Sequence, residues 1–330
     1  MLGLAALADA DHSKHTPPSL IIGGLGKCGT NYVAYVIKQY GGVPPLSETA
    51  CRLERARQGY CGEVNWPCTE NHWTQPLFDK YITHFDRVPK PKDVRLMNFT
   101  FDKSTTYTRA VCAPLIFNAL VGPTFRGFIF CICDPLVALW SRFNQVRKFS
   151  NFTVADFFVP VRYIAAHGID TLPAEFTANQ GQVWWQGWSM VHVLENLHVY
   201  RKKYGQKLSV IIAEKSKACP DYVSSAISRL LGRDLIRQEA ASLVHASESF
   251  ATTLSRDNSF SLMVSLLKPR FTQLYLDLQS YMYKYYKDDL GARLACSCPL
   301  VCSKMSIPQD GDGTQRRHAH MVRARCMAHL

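Results

Sequence analysis

The chain has 330 residues, of which 47% are hydrophobic and 19% are charged, so it can build a large apolar core. This composition excludes an intrinsically disordered chain, and the ordinary content of 19 glycines and 17 prolines excludes a fibrous or low-complexity protein. The net charge of +12 suggests an anionic partner, such as a phosphorylated nucleotide, an acidic glycan, a nucleic acid or a membrane surface. No apolar run approaches the roughly 18 residues that a membrane-spanning helix needs.

Strand and helix patterns alternate along the middle of the chain. Residues 19–23 (SLIIG) predict a short buried strand, which is followed by a glycine-rich loop and a helix that ends at Gly41-Gly42. Further strands are predicted at 94–100, 126–133 and 207–213, and further helices at 136–148, 153–166, 183–204 and 219–231. This alternation predicts an α/β protein with a central parallel β-sheet flanked by helices. We expect a flexible leader at 1–18, one domain at 19–290, and a basic tail with cysteines at 291–330.

Twelve cysteines are many for a chain of this length. Cys131 and Cys133 lie in an apolar run, which is typical of core thiols. Because no CxxC pair recurs at zinc spacing, we expect a few disulfides rather than a metal site. Sequons at Asn98 and Asn151 favour a glycoprotein of the Golgi lumen or secretory pathway. The N-terminus lacks the basic region of a signal peptide, so the cytoplasm stays open as the alternative.

The loop after the first strand reads GLGKCGT, from Gly24 to Thr30. It matches the GxGxxG dinucleotide pattern, but that interpretation needs a second buried strand that ends in an acidic residue. Glu48 has the right spacing, but residues 41–49 (GGVPPLSET) do not read as a buried strand. The loop also differs from the Walker A motif, because Cys28 follows the lysine where that motif has Ser or Thr.

Three residues of this loop favour an anion site. Lys27, Gly29 and Thr30 lie in the order K-x-G-T immediately before the helix. Backbone N–H groups and the helix dipole attract an anion there, and the lysine adds a point charge. The sequence therefore predicts a loop that binds phosphate or sulfate.

The segment LIIGGLGKCGTNYVAYVI resembles the 5′-phosphosulfate loop of the sulfotransferases that use phosphoadenosine phosphosulfate (PAPS), especially their glycan (heparan-type) branch. Four further segments resemble motifs of this family in the family's order. GEVNW around Glu63 resembles the segment that carries the catalytic glutamate. Residues 102–107 (DKSTTY) resemble the E-K-[ST]-P-x-Y segment, and residues 131–143 resemble the 3′-phosphate segment. The fourth is the series from the helix at 183–204 to Leu230-Leu231-Gly232.

The resemblance implies a P-loop-like sulfotransferase fold over 19–290, PAPS as the cofactor with PAP as its product, and no metal. It implies transfer of a sulfuryl group to a hydroxyl or amine of a carbohydrate or similar acceptor. Lys27 would be the cation at the bridging oxygen, Glu63 the general base, and Lys103 a group that helps to bind the acceptor or the sulfuryl group. The cofactor-binding residues that it implies are Gly26, Lys27, Cys28, Gly29, Thr30, Asn31 and Ser141.

The chain departs from the family pattern at four positions. Cys133 and Ala138 stand where the family usually has arginines of the 3′-phosphate segment. Asn31 replaces a hydroxyl residue of the loop, and Asp102 replaces a glutamate. Two other functions therefore stay open: a nucleotide-dependent oxidoreductase of the NAD type, and an inactive basic protein that binds acidic glycans. No known DNA or RNA module occurs, so we expect no nucleic-acid partner.

Overall fold

The strands that the structure describes form one parallel β-sheet. The structure is a computed structural model, and it describes residues 17–44, 99–108, 124–148, 150–168, 171, 173, 192–218, 221–232 and 258–294. The strands are β1 (Leu20–Gly24), β2 (Gly42–Val43), β3 (Phe99–Lys103), β4 (Gly127–Ile132) and β5 (Leu208–Ile212). They lie in the order β2-β3-β1-β4-β5, and every pair of neighbours is parallel. The predicted central parallel sheet is therefore confirmed.

Helices cover both faces of this sheet. They are α1 (Thr30–Gln39), α2 (Pro135–Arg147), α3 (Val154–His167), α4 (Val193–Tyr204), α5 (Ala213–Ala218), α6 (Asp221–Leu231) and α7 (Asn258–Leu294). The helices α1 and α6 pack on one face, and α2, α3, α4 and α7 form the layer on the other. The predicted α/β class, with helices on both sides of a parallel sheet, is confirmed.

The strands β1, β4 and β5 are buried along their whole length because helices cover both faces of the sheet. In β4, Phe128 and Phe130 point into the layer of α2 and α4, whereas Ile129 and Cys131 point into the layer of α1 and α6. All four side chains have no exposed surface. This explains why the strands read as continuous apolar runs in the sequence.

Local capping fixes where two of the helices begin. The Asp134 side chain accepts hydrogen bonds from the N–H groups of Leu136 and Val137 at the start of α2. At the start of α3, Thr153 and Asp156 form a capping box, in which each side chain accepts from the other residue's backbone N–H. These caps satisfy N–H groups that no helical carbonyl can reach.

The element bounds agree with the sequence in most places, but the short helix α5 was not predicted and three other elements differ. Residues 42–43 form a short edge strand paired with β3, although the sequence predicted no buried strand there. β3 ends at Lys103 rather than at residue 100. The long helix α7 was missed because Pro269 interrupts its pattern and exposed apolar residues, such as Leu276, blur its polar face.

Several expectations fall outside the described residues. These are the leader up to residue 16, residues 94–98 of the predicted strand, and residues 183–191 of the predicted helix. The division of the chain at residues 18 and 290 stays a prediction.

Candidate anion-binding site

Two helices leave the carboxyl edge of the sheet from neighbouring strands and lie on opposite faces. The helix α1 follows β1 and α2 follows β4, and these two strands pair directly, with Gly24 opposite Cys131. The place where helices leave adjacent strands toward opposite faces is called the topological switch point of the sheet. A crevice opens there, and ligands of open parallel sheets bind in it. The loop that the sequence predicted to bind anions therefore lies at the favoured position of this sheet.

The loop between β1 and α1 turns through left-handed backbone conformations. Gly24 has φ +141°, and a Cβ atom there would lie 2.3 Å from the carbonyl oxygen of Cys131. Gly29, the residue before α1, has φ +83°, and the exposed Lys27 has φ +69°. A left-handed conformation costs a residue with a side chain about 1–2 kcal/mol, so the surrounding structure must hold Lys27 in place.

The N-terminus of α1 has no side-chain cap among the described residues. Gly29 occupies the cap position and offers only backbone, and Thr30, the first helical residue, is buried. The N-terminus of α2 is different, because the Asp134 carboxylate already accepts two of its N–H groups. Of the two helices at the switch point, α1 is the one whose first N–H groups are not claimed by a side-chain cap.

A second lysine reaches the same helix end from β3. Lys103 is the last residue of β3 and pairs with Ile22 of β1. Its Nζ donates a hydrogen bond to Oδ1 of Asn31, at 2.5 Å, in the first turn of α1. The structure thus brings Lys103 to the first turn of α1, which Lys27 precedes in the loop.

Asp102, beside Lys103, is buried and has no exposed surface. Its Oδ2 accepts a hydrogen bond of 2.5 Å from the hydroxyl of Tyr107, and the Tyr107 carbonyl in turn accepts one from the hydroxyl of Tyr200. This network fixes the turn that follows β3. It therefore supports the end of the strand from which Lys103 projects.

A disulfide joins the two loops of the crevice. Cys28 of the β1–α1 loop is bonded to Cys133, which follows β4, across 105 residues of sequence. The prediction of a core thiol is therefore wrong for Cys133, whereas Cys131 is a free, fully buried thiol as predicted. Burial raises the pKa of the Cys131 thiol far above its ordinary value.

The backbone of Cys28, an expected cofactor contact, is also engaged. Its N–H donates to the carbonyl of Leu25 at 3.1 Å, and its side chain is buried. Cys28 therefore shapes the loop from within.

The other side of the crevice carries carboxyl groups. Oε1 of Glu214, in the first turn of α5, accepts the N–H of Asp134 at 3.1 Å, and Asp134 Oδ1 accepts the hydroxyl of Tyr275 at 2.8 Å. Burial raises the pKa of Asp134, against the opposing effect of the hydrogen bonds that its carboxylate accepts from Tyr275, Val137 and Leu136. Together with Cys133 and Met282, these residues line a cavity of about 60 Å³. Sequence reasoning missed Glu214 and Tyr275, because neither residue belongs to a recognisable motif.

Ser141 lies inside α2 and not at its start. It is half-buried and follows Pro135, the first helical residue, by about 9 Å along the helix axis. Ala138 is fully buried, and the guanidinium of Arg142 donates to the side chain of Gln145 at 2.7 Å. No hydrogen bond described in the structure joins Ser141 to the β1–α1 loop.

The expected general base, Glu63, lies outside the described residues. Within the described residues, no group of three or more His, Cys, Asp or Glu side chains could hold a metal ion. The same part of the chain has no helix that is both long and apolar enough to cross a membrane.

No protein-family model and no curated protein matches the sequence. Several solved structures are similar to this chain, and three sulfotransferases are among them. The first is a sulfotransferase from Alicyclobacillus acidocaldarius, with 16% identity, a TM-score of 0.44, and coverage of 77% of this chain and 95% of that one.

The second is the sulfotransferase domain from the curacin biosynthetic pathway, with 14% identity, a TM-score of 0.38, and coverage of 77% and 98%. The third is the sulfotransferase domain of the Synechococcus PCC 7002 olefin synthase, with 14% identity, a TM-score of 0.37, and coverage of 74% and 85%. With identities and TM-scores this low, the activity of this chain has to be inferred from its own residues.

Proposed function

We propose that this protein transfers a sulfuryl group from PAPS to a hydroxyl or amine group of an acceptor, with a carbohydrate as the acceptor class. The observation that carries the proposal is the N-terminus of α1 at the switch point. It has no side-chain cap among the described residues, Lys27 precedes it in a left-handed turn, and Lys103 reaches its first turn from β3. N–H groups that no side-chain cap accepts, together with two cations at one helix end, are suited to a phosphosulfate group.

Each group at this helix end has a separate role in the proposal. PAPS, when bound, supplies a sulfuryl group on a phosphosulfate anhydride. Lys27 would hold the anhydride end and offset the charge that develops on the leaving oxygen. Lys103, positioned by Asn31, would orient the sulfuryl oxygens, and Thr30 would add a hydroxyl donor at the first helical position.

The remaining roles rest on the family resemblance. Glu63 would take the proton of the acceptor, and Ser141 would hold the 3′-phosphate. Asp102 is less suited to the base role, because it is buried and already accepts a hydrogen bond from Tyr107. At the start of α2, Cys133 is bonded in a disulfide, and the Asp134 carboxylate caps the N–H groups. This helix end therefore presents few donors to a second phosphate group.

The strand order argues against the NAD alternative. In a dinucleotide-binding sheet, the second strand lies next to the first and carries the acidic residue for the ribose. Here β3 lies next to β1, and β2 is a two-residue strand at the far edge. The acidic residue near the end of β3, Asp102, is buried and accepts the hydroxyl of Tyr107, so it is not placed to accept a ribose hydroxyl.

Thermal denaturation with PAP, NAD and ATP tests this proposal. PAP at about 100 times its dissociation constant should stabilise the protein by roughly 2.7 kcal/mol, and NAD should not. Lys27→Ala should reduce both the shift with PAP and the transfer of labelled sulfate to a mixed glycan pool. A shift with NAD and none with PAP would refute the proposal. PAP binding without any sulfate transfer would instead support an inactive binding protein.

A further inference from the structure

We infer that the Cys28–Cys133 disulfide is a thiol-exchange site whose reduction by a dithiol weakens anion binding at the β1–α1 loop. The bond ties the middle of this loop to the residue that follows β4, so it crosses the crevice at the switch point. The inference rests on the proposed function for the choice of PAP as the ligand. The restraint of the loop backbone by the disulfide does not depend on which anion binds.

The loop needs an external restraint. Lys27, immediately before Cys28, has φ +69°, and Gly29, immediately after it, has φ +83°. A lysine relaxes from the left-handed region unless its surroundings hold it there, whereas glycine does not. The disulfide fixes the residue between them, so it holds Lys27 in the conformation that places its charge before α1.

The two sulfur atoms differ in access. Cys28 has no exposed surface, whereas Cys133 is partly exposed and lines the cavity beside Asp134 and Pro135. Of the two residues, Cys133 is therefore the one that a thiolate from solvent can approach. Cys28 then departs as a thiolate before the N-terminus of α1, where the helix dipole and Lys27 favour the anionic form.

The exchange balances with a dithiol as the reductant. The first thiolate forms a mixed disulfide with Cys133 and releases Cys28, which takes up a proton. The second thiol of the reagent attacks the mixed disulfide and releases Cys133. The reagent loses two electrons and becomes a disulfide, and the protein gains two thiols. Cys131 cannot replace either partner, because it is fully buried and its side chain packs on the opposite face of the sheet.

Reduction should weaken the binding of PAP by about 5- to 30-fold. This range corresponds to the free-energy cost of holding one lysine in the left-handed backbone conformation. Without the disulfide, the binding of the ligand must supply that free energy. Calorimetry of the full chain with and without dithiothreitol measures the ratio, and alkylation followed by mass spectrometry confirms that both cysteines are reduced. An unchanged dissociation constant after full reduction would overturn the inference.

The chain has 12 cysteines, so the reductant alone does not isolate this bond. The double variant Cys28→Ala, Cys133→Ala should bind PAP as weakly as the reduced wild type, and dithiothreitol should not change its affinity. If the double variant keeps the affinity of the oxidised wild type, or still responds to the reductant, the inference is wrong.

A matched pair at residue 27 tests the mechanism. Lys27→Ala and Lys27→Gly remove the same charge, but only glycine removes the backbone strain. The ratio of reduced to oxidised dissociation constants should stay near the wild-type value in Lys27→Ala and approach one in Lys27→Gly. Equal ratios in the two variants would overturn the mechanism.

Inorganic pyrophosphate separates this inference from the proposed function, because any phosphate-binding loop should hold it. Redox-dependent binding of pyrophosphate without binding of PAP would refute the proposed function and support the inference. If neither anion binds in either redox state, both fail.

Discussion

Replacing Lys103 with methionine tests whether the second lysine serves the anion site. The change removes the charge and keeps most of the apolar stem. A hydrogen bond to a charged group contributes about 1.5–3 kcal/mol, so the dissociation constant of PAP should rise by about 10- to 150-fold. The folded state should change little, because the Nζ of Lys103 makes an exposed bond to Asn31.

Lys38→Met is the matched control for this variant. It removes the same charge from α1, but Lys38 lies in the last turn, about 12 Å from Thr30 along the helix, with its Nζ 5.9 Å from the ring centre of Phe101. Calorimetric titration of both variants with PAP at one ionic strength separates a local contact from a change in net charge. If Lys103→Met loses no more affinity than Lys38→Met, Lys103 does not belong to the anion site.

Three further predictions concern separate groups. Ser141→Ala should weaken the binding of PAP and leave turnover at saturating PAP nearly unchanged. Calorimetry measures the affinity and steady-state rates measure the turnover. An unchanged affinity would show that the 3′-phosphate binds elsewhere. Glu63→Gln should lower turnover by about 10²–10⁴-fold and leave PAP affinity unchanged, whereas full activity moves the base to another residue. Because burial raises the pKa of Asp134 above its ordinary 3.8, its contribution to the free energy of unfolding should fall as pH rises from 3.8 through the raised value. Denaturant unfolding of Asp134→Asn should show a flatter pH dependence across that window, and parallel curves contradict this.

The strands β1, β4 and β5 and the loop before α1 could be predicted because their signals are local. The apolar run of β1, the glycines after it and Lys27 lie within a few residues of one another. Alternation of such runs with helical patterns was enough to predict a parallel sheet. The prediction that the loop precedes a helix required nothing beyond this segment.

The contacts across the site could not be predicted, because they depend on register between distant strands. Lys103 meets Asn31 because β3 pairs beside β1 with Lys103 opposite Ile22. A shift of one residue would turn Lys103 to the other face of the sheet. The pairing of Cys28 with Cys133 likewise follows from the β1–β4 register, which sequence spacing does not reveal.

The N-termini of α1 and α2 at the switch point differ in the donors and charges that they present to a ligand. At α1, backbone N–H groups have no side-chain cap among the described residues, and Lys27 and Lys103 add charge. At α2, the Asp134 carboxylate occupies the N–H groups, and a disulfide sulfur stands where a cation is usual in the family that the chain resembles. We therefore expect an anionic ligand to be held mainly by the end that lies against α1. In the proposed reaction that is the end where charge develops, so these contacts strengthen in the transition state and raise turnover as well as affinity. Losses of affinity should accordingly be larger for Lys27→Ala and Lys103→Met than for Ser141→Ala.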